Sequence, residues 1–190
     1  MADESLGALI EENCCLLQQT RALISRLSPD QYRDHQDELG LSSIGQHVRH
    51  LADHYVTLLG QSAPLDYDRR ARHTPVEQCP QAAERRLAML SSNLRTLLQD
   101  DPGTDTTMQV LHTPDTGTDE RPITLHSSLG RELSCVASHT LHHMAMINIL
   151  SRLLGVEPGA DFGLARATKE FLKHTKNQRS QGYGNLEIVG

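Results

Sequence analysis

Between Ser43 and Gly60 the apolar side chains Ile44, Val48, Leu51, Tyr55 and Leu58 recur at spacings of four, three, four and three residues. That period places all of them on one stripe of an α-helix, whereas a strand would need alternation at every second residue. The stretch also carries its own start signal. Ser43 followed three residues later by Gln46 has the form of a capping box, in which hydroxyl and amide satisfy backbone N–H groups reciprocally. A helix over roughly 43 to 60 follows, and its stripe needs a partner surface to bury it.

Three further stretches repeat the pattern. Leu6, Ile10, Leu17, Ile24 and Leu27 mark a helix over 5–27, with acids early and Arg late. Leu87, Leu90, Leu94 and Leu97 or Leu98 mark one over 81–99. Leu133, Val136, Ala137, Met144 and Ile147 mark one over about 128–154, stopped by Gly155 with Pro158 beyond. Shorter pieces lie between them. Ser28-Pro29-Asp30-Gln31 opens a brief helix through about Tyr32 to Gln36, broken by Gly40, and Thr74-Pro75-Val76-Glu77 reads as another capped turn. Residues 61–79 lose periodicity, and 101–127 mix Gly, Pro, Asp and Thr with short alternating pieces, MQVLH and PITLH, that suggest a hairpin-like excursion. One more helical piece is expected near Leu164 to His174, ahead of SQGYGN, which reads as flexible. Four long helices with uneven connections and no central strands predict an all-α fold. The expected architecture is an antiparallel four-helix bundle with long inter-helix connections, in a single domain over 1–190.

Composition narrows the function classes. With 37% apolar and 22% charged residues dispersed through 190 positions, the chain has the profile of a globular protein with one core. A formal charge of −6, 3% aromatics and no Trp oppose nucleic acid as a partner, which needs clustered cations and stacking rings. Cys14 and Cys15 are adjacent, Cys79 and Cys135 stand alone, and no CxxC occurs, so reduced thiols are expected. An acidic start and the lack of an apolar run near ~18 residues predict a cytoplasmic protein with no membrane partner.

The chemistry is concentrated in the histidines. SHTLHHMAMI, residues 138–147, holds His139, His142 and His143. On a helix His139 and His143 project together, roughly 80° to 120° from the apolar stripe, while His142 points nearly away from it. On the 43–60 helix His47, His50 and His54 lie at roughly 70° to 130° from that stripe. An i, i+4 pair can direct two imidazoles at one ion, and a third from a neighbouring helix leaves open positions for water or substrate. Zn, Ni, Co and Fe all suit such donors. Angular placement alone favours His47 or His54 as the third donor, since both lie nearer the stripe than His50. In the DYDRRARH connection, Arg69 or Arg72 can attract an acidic substrate group, and Tyr67 is a further candidate substrate contact, as is His54. Two decoys fall away. DFGLAR at 161–166 lacks every companion of a kinase metal-binding segment, and Ser138 beside His139 diverges from it on a helix and lacks a GxSxG elbow.

Together, SSIGQHVRHLADHY and the downstream RELSCVASHTLHHMAMI resemble the DinB/YfiT-like superfamily, as do the order of helices and the LGVEPGADFG stretch. The resemblance implies a four-helix bundle, homodimerisation and a divalent metal, with Zn and Ni the best fits, held by His50 from RHLAD and by the pair His139 and His143. It further implies transfer of a low-molecular-weight thiol co-substrate to an electrophilic small molecule. The other roles are metal-dependent hydrolysis and a non-catalytic bundle that binds metal or a small molecule in a stress response. One departure is local. Met144, Ala145 and Met146 stand where relatives often carry Arg-Gly-Gln after the second histidine, which bears on hydrogen bonding around the ligands and on close helix approach.

Overall fold

The computed structural model describes residues 4–35, 40, 42–60, 63–69, 72–100, 102–115, 117 and 121–182, with side chains as far as 175. Gln36, expected to close the short second helix, and the SQGYGN tail beyond 182 lie outside the described residues. The elements in chain order are α1 (Glu4–Ile24), α2 (Pro29–Arg33), α3 (Ile44–Leu59), β1 (Leu65–Asp66), α4 (Pro75–Gln78), α5 (Pro80–Asp100), β2 (Thr107–His112), β3 (Ile123–Ser128), α6 (Leu129–Leu153) and α7 (Arg166–Gly182). Among the described residues no helix is long and apolar enough to cross a membrane.

Three of the helices, α2, α3 and α6, start at a serine that caps them. Ser28 and Ser43 each close a complete capping box, with Gln31 and Gln46 returning the bond, and Ser128 accepts from the Arg131 N–H at the head of α6. Thr74 behaves differently. Helix α4 forms, but the Thr74 hydroxyl makes no capping bond. The Glu77 N–H that the hydroxyl would accept from bonds the Thr74 carbonyl at 3.1 Å, and the Glu77 carboxylate, which would complete a reciprocal cap, turns inward to Arg49. Because the Ser43 hydroxyl is buried and caps the helix that carries three histidines, Ser43→Ala is expected to cost about 0.5–2 kcal/mol. Thermal unfolding followed by circular dichroism reads the loss.

Helices α1 and α3 each pack against both α5 and α6. The faces that meet are the predicted stripes: Leu6, Ile10 and Leu17 of α1, Val48, Leu51 and Tyr55 of α3, Leu87 and Leu94 of α5, and Leu133, Met144 and Ile147 of α6 are all buried in one cluster. A polar chain runs through it. Tyr55 donates to Asn13 Oδ1 at 2.9 Å, Thr140 donates to the Tyr55 hydroxyl at 3.1 Å, and Asn13 Nδ2 reaches the Leu133 carbonyl at 3.2 Å, tying α1, α3 and α6 together. Buried polar groups persist in a core when each finds such a partner.

The all-α expectation is incomplete, because the connections build a three-stranded sheet in the order β1-β2-β3. MQVLH and PITLH do form antiparallel partners, β2 and β3, with Val110 opposite Leu125. β1 pairs parallel to β2, Leu65 with Val110. Two residues are too few to show a period of two in sequence, and a parallel partner needs a distant crossover, so β1 left no local signal.

Two glycines set how closely elements meet. At Gly45 an added Cβ would run into the Glu77 carbonyl and the Tyr32 ring, so the first turn of α3 presses directly on α2 and α4. Gly163, at φ +70°, brings the DFG turn onto the α6 backbone, where a Cβ would stand 2.7 Å from the Met144 carbonyl carbon. Phe162 is buried beside it, and Asn148 donates to the Phe162 carbonyl at 2.7 Å. The DFG letters therefore serve close packing behind His143. A near approach to α6 at Met144-Ala145 is made by this turn.

Candidate metal centre

Helix α3 carries His47, His50 and His54, and α6 carries His139, His142 and His143. The two helices pack on each other, and positions four apart share a face, so His50 with His54 and His139 with His143 enter their seam as pairs. The Nε2 atoms of His50 and His139 stand 3.2 Å apart. The His143 ring lies 4.7 Å from that of His50 and 4.5 Å from that of His139, centre to centre. One nitrogen from each of the three lies within 4.8 Å of the others.

This donor set fits a divalent ion. Nitrogens held ~2.0–2.1 Å from a tetrahedral ion are roughly 3.4 Å apart, close to the 3.2 Å between His50 and His139. One ring donating to the other would give the same spacing. The third imidazole is what turns a pair into a tripod of borderline donors. Protonation state agrees with that chemistry. Burial pushes the His143 imidazole down to about 2, with His139, His50 and His47 adding to the shift, so the ring is neutral and keeps a lone pair. Burial, then His142, also lowers His47.

The remaining sequence candidates take other places. His54 is not in the three-nitrogen group; it stacks on His139 with ring centres 3.8 Å apart and planes 20° from parallel, and its Nδ1 donates to the His50 carbonyl at 3.1 Å. Tyr67 stacks on His54 at 5.2 Å, and its hydroxyl donates to Glu132 Oε2 at 2.8 Å. Burial and the Glu132 carboxylate both raise Tyr67 above its ordinary value, so it stays a donor. Tyr67 and His54 thus brace His139 laterally. Beside the histidines opens a cavity of about 420 Å³, whose lining includes His47, His50, His143, Arg49, Arg72 and Glu77. Arg72 reaches the cavity, whereas Arg69 is exposed and does not line it. His142 is exposed, as its angle on α6 predicts.

Two features escape the sequence reading. The first is a buried charge network: Arg49 Nε donates to Glu77 Oε2 at 3.0 Å and its NH1 to Asp53 Oδ2 at 3.0 Å. Burial pushes Asp53 up even though Arg49 draws it down. The i, i+4 spacing of Arg49 and Asp53 is a local signal for half of it, but Glu77 arrives from another helix. The second is the contact of His47 with His143, Nδ1 to Nδ1 at 2.9 Å.

The sequence profile of the DinB family matches residues 1–180. The chain belongs to the DinB family. A further likeness is to a protein named FK506-binding protein 5 from Rhizopus delemar, 32% identical over 114 residues, covering 60% of this chain and 28% of that protein. The chain therefore spans less than a third of the length of the relative it matches. Within this DinB-family chain, the resemblance noted in the α3 and α6 segments and the convergence of His50, His139 and His143 fall on the same residues.

Proposed function

We propose that this DinB-family protein holds one divalent ion, Zn or Ni, on His50, His139 and His143, and transfers a low-molecular-weight thiol to an electrophilic small molecule. The reading is carried by three imidazole nitrogens gathered within 4.8 Å of one another beside a cavity of about 420 Å³. Three protein ligands leave coordination positions unfilled, as catalytic rather than structural sites do. When bound, such an ion stabilises a thiolate at neutral pH and so supplies the nucleophile.

The chain's own groups perform the rest. The cavity suits a small molecule in volume. Arg72 on its wall offers an exposed guanidinium to an acidic substrate group. Arg49, fixed by Glu77 and Asp53, is a rigid part of the lining. The His54 and Tyr67 stack keeps His139 from swinging away from His50. In the transfer itself the sulfur lone pair forms the new carbon–sulfur bond and the thiol proton goes to solvent; a halide departs with its bonding pair, whereas an epoxide or enone keeps the displaced pair on oxygen or carbon and takes up a proton from solvent. The same reading takes α1, α3, α5 and α6 as an antiparallel four-helix bundle in one domain over 1–190, supported by the packing of α1 and α3 on both α5 and α6. It places the protein in the cytoplasm as a homodimer, in line with four free cysteines and the family resemblance.

The test is an assay of Zn- or Ni-loaded protein with glutathione, cysteine and a panel of alkyl and aryl halides, epoxides and enones, with thioether followed by mass spectrometry. Thioether formation that is present in loaded protein and absent from the chelated protein and from His143→Ala is the expected result. An ion-dependent hydrolysis of the same panel would reassign the reaction to a hydrolase. An ion that binds without any turnover would leave a binding protein.

A further inference from the structure

His47 and His143 face each other across the α3–α6 seam with Nδ1 atoms 2.9 Å apart. Their ring centres are 5.2 Å apart and the planes 46° from parallel, so this is an edge contact through nitrogen and not a stack. A neutral imidazole has one N–H and one lone pair, so one of the two Nδ1 atoms donates and the other accepts. If His143 binds an ion through Nε2, its proton sits on Nδ1, and His47 Nδ1 is the acceptor. The His47 proton then resides on Nε2, a buried atom that has no hydrogen-bond partner among the described residues. Among the described residues, the side-chain hydrogen bond of His47 therefore goes to His143.

Its place on α3 gives that bond a fixed origin. His47 N–H bonds to the Ser43 carbonyl at 3.2 Å, in the turn that the capping box locks. His47 is outside the three-nitrogen group formed by His50, His139 and His143, so it neighbours the candidate ligand set without belonging to it. A histidine serving only to fill space would gain nothing from a buried Nε2–H that lacks a partner, a group that costs about 1–3 kcal/mol. The contact with His143 explains why an imidazole is kept there.

We propose that His47 is a positioning residue for His143: its Nδ1 accepts the His143 Nδ1–H, sets the rotation of that ring and holds the Nε2 lone pair ready for an ion shared with His50 and His139. This rests on the reading of His143 as a ligand. Outer partners of this kind typically contribute 10–100-fold to metal affinity.

The experiment measures Zn²⁺ affinity of the full chain by competition with a chromophoric chelator, and the visible spectrum of the Co²⁺-loaded protein, for wild type, His139→Ala, His47→Leu and His47→Asn. Leu keeps the volume and removes the acceptor; Asn places an amide oxygen near the position of Nδ1. The expected result is a roughly 10–100-fold loss of Zn²⁺ affinity in His47→Leu, recovery of most of it in His47→Asn, and an unchanged number of Co²⁺ ligands in both. Tight Zn²⁺ binding by wild type that disappears in His139→Ala and is unaltered in His47→Leu overturns the role of His47 and leaves the ligand set standing. Equal losses in the Leu and Asn variants, or a lower Co²⁺ coordination number in either, also overturn it, by making His47 structural or a ligand. Wild-type protein that takes up neither ion overturns both readings.

Discussion

Replacing His139 or His143 with Ala is expected to weaken Zn²⁺ binding by about 10²–10³-fold. Zinc held by four protein ligands binds with roughly 10–16 kcal/mol, so one ligand is worth ~2.5–4 kcal/mol, and each 1.4 kcal/mol is tenfold in affinity. His50→Ala should match them, since its Nε2 stands 3.2 Å from that of His139. His142→Ala is the internal control: it shares the helix and the histidine-rich segment, but its side chain is exposed and outside the three-nitrogen group. Calorimetric titration of chelator-stripped protein separates the two classes. A loss in His142→Ala as large as in His143→Ala would sink the assignment of ligands, because a nonspecific effect of histidine content would then explain the data.

The second large effect concerns stability. Arg49→Met should lower the unfolding free energy by about 3–5 kcal/mol, the usual cost of removing one partner from a buried ion pair. Methionine preserves much of the packed stem, so the loss isolates the charge. Glu77 is left 4% exposed with no guanidinium to accept from, and Asp53, at 22%, loses one donor. For a chain of this size the midpoint of thermal unfolding should fall by roughly 6–20 °C. The double variant Arg49→Met, Glu77→Met should regain most of it, because burying no charge is often as good as burying a pair. The peripheral pairs Arg33 with Asp30, Arg95 with Glu11 and Arg166 with Glu170 are too exposed for their loss to register comparably.

How much of this was legible in sequence depends on how local the cause was. The helix expected over 43–60 is Ile44–Leu59, and those expected over 81–99 and 128–154 are Pro80–Asp100 and Leu129–Leu153, because stripe, cap and stop are all short-range signals. Helix angles gave the histidines of two helices a similar radial placement, and those helices, α3 and α6, pack on each other. The angles favoured His47 and His54 over His50, yet the nitrogen group contains His50. An angle measured from one helix's own stripe carries no knowledge of how that helix crosses its neighbour. Nor does it know that His54 is taken up by stacking on His139 and Tyr67. Glu77 illustrates the limit most plainly: with Thr74 it read as part of a capped turn, and its carboxylate instead accepts from a guanidinium 28 residues away along the chain. Family resemblance selected His50 where spacing did not.

The apolar cluster contributed by α1, α3, α5 and α6 is continuous and contains none of the candidate ligands. Small zinc domains collapse only around their ion; a protein whose interior is already filled by Leu, Ile and Tyr side chains is expected to reach its native shape empty. Under the proposed reading, exposure to a chelator should therefore strip the ion without melting the protein, and occupancy would follow the local supply of metal and not the history of folding.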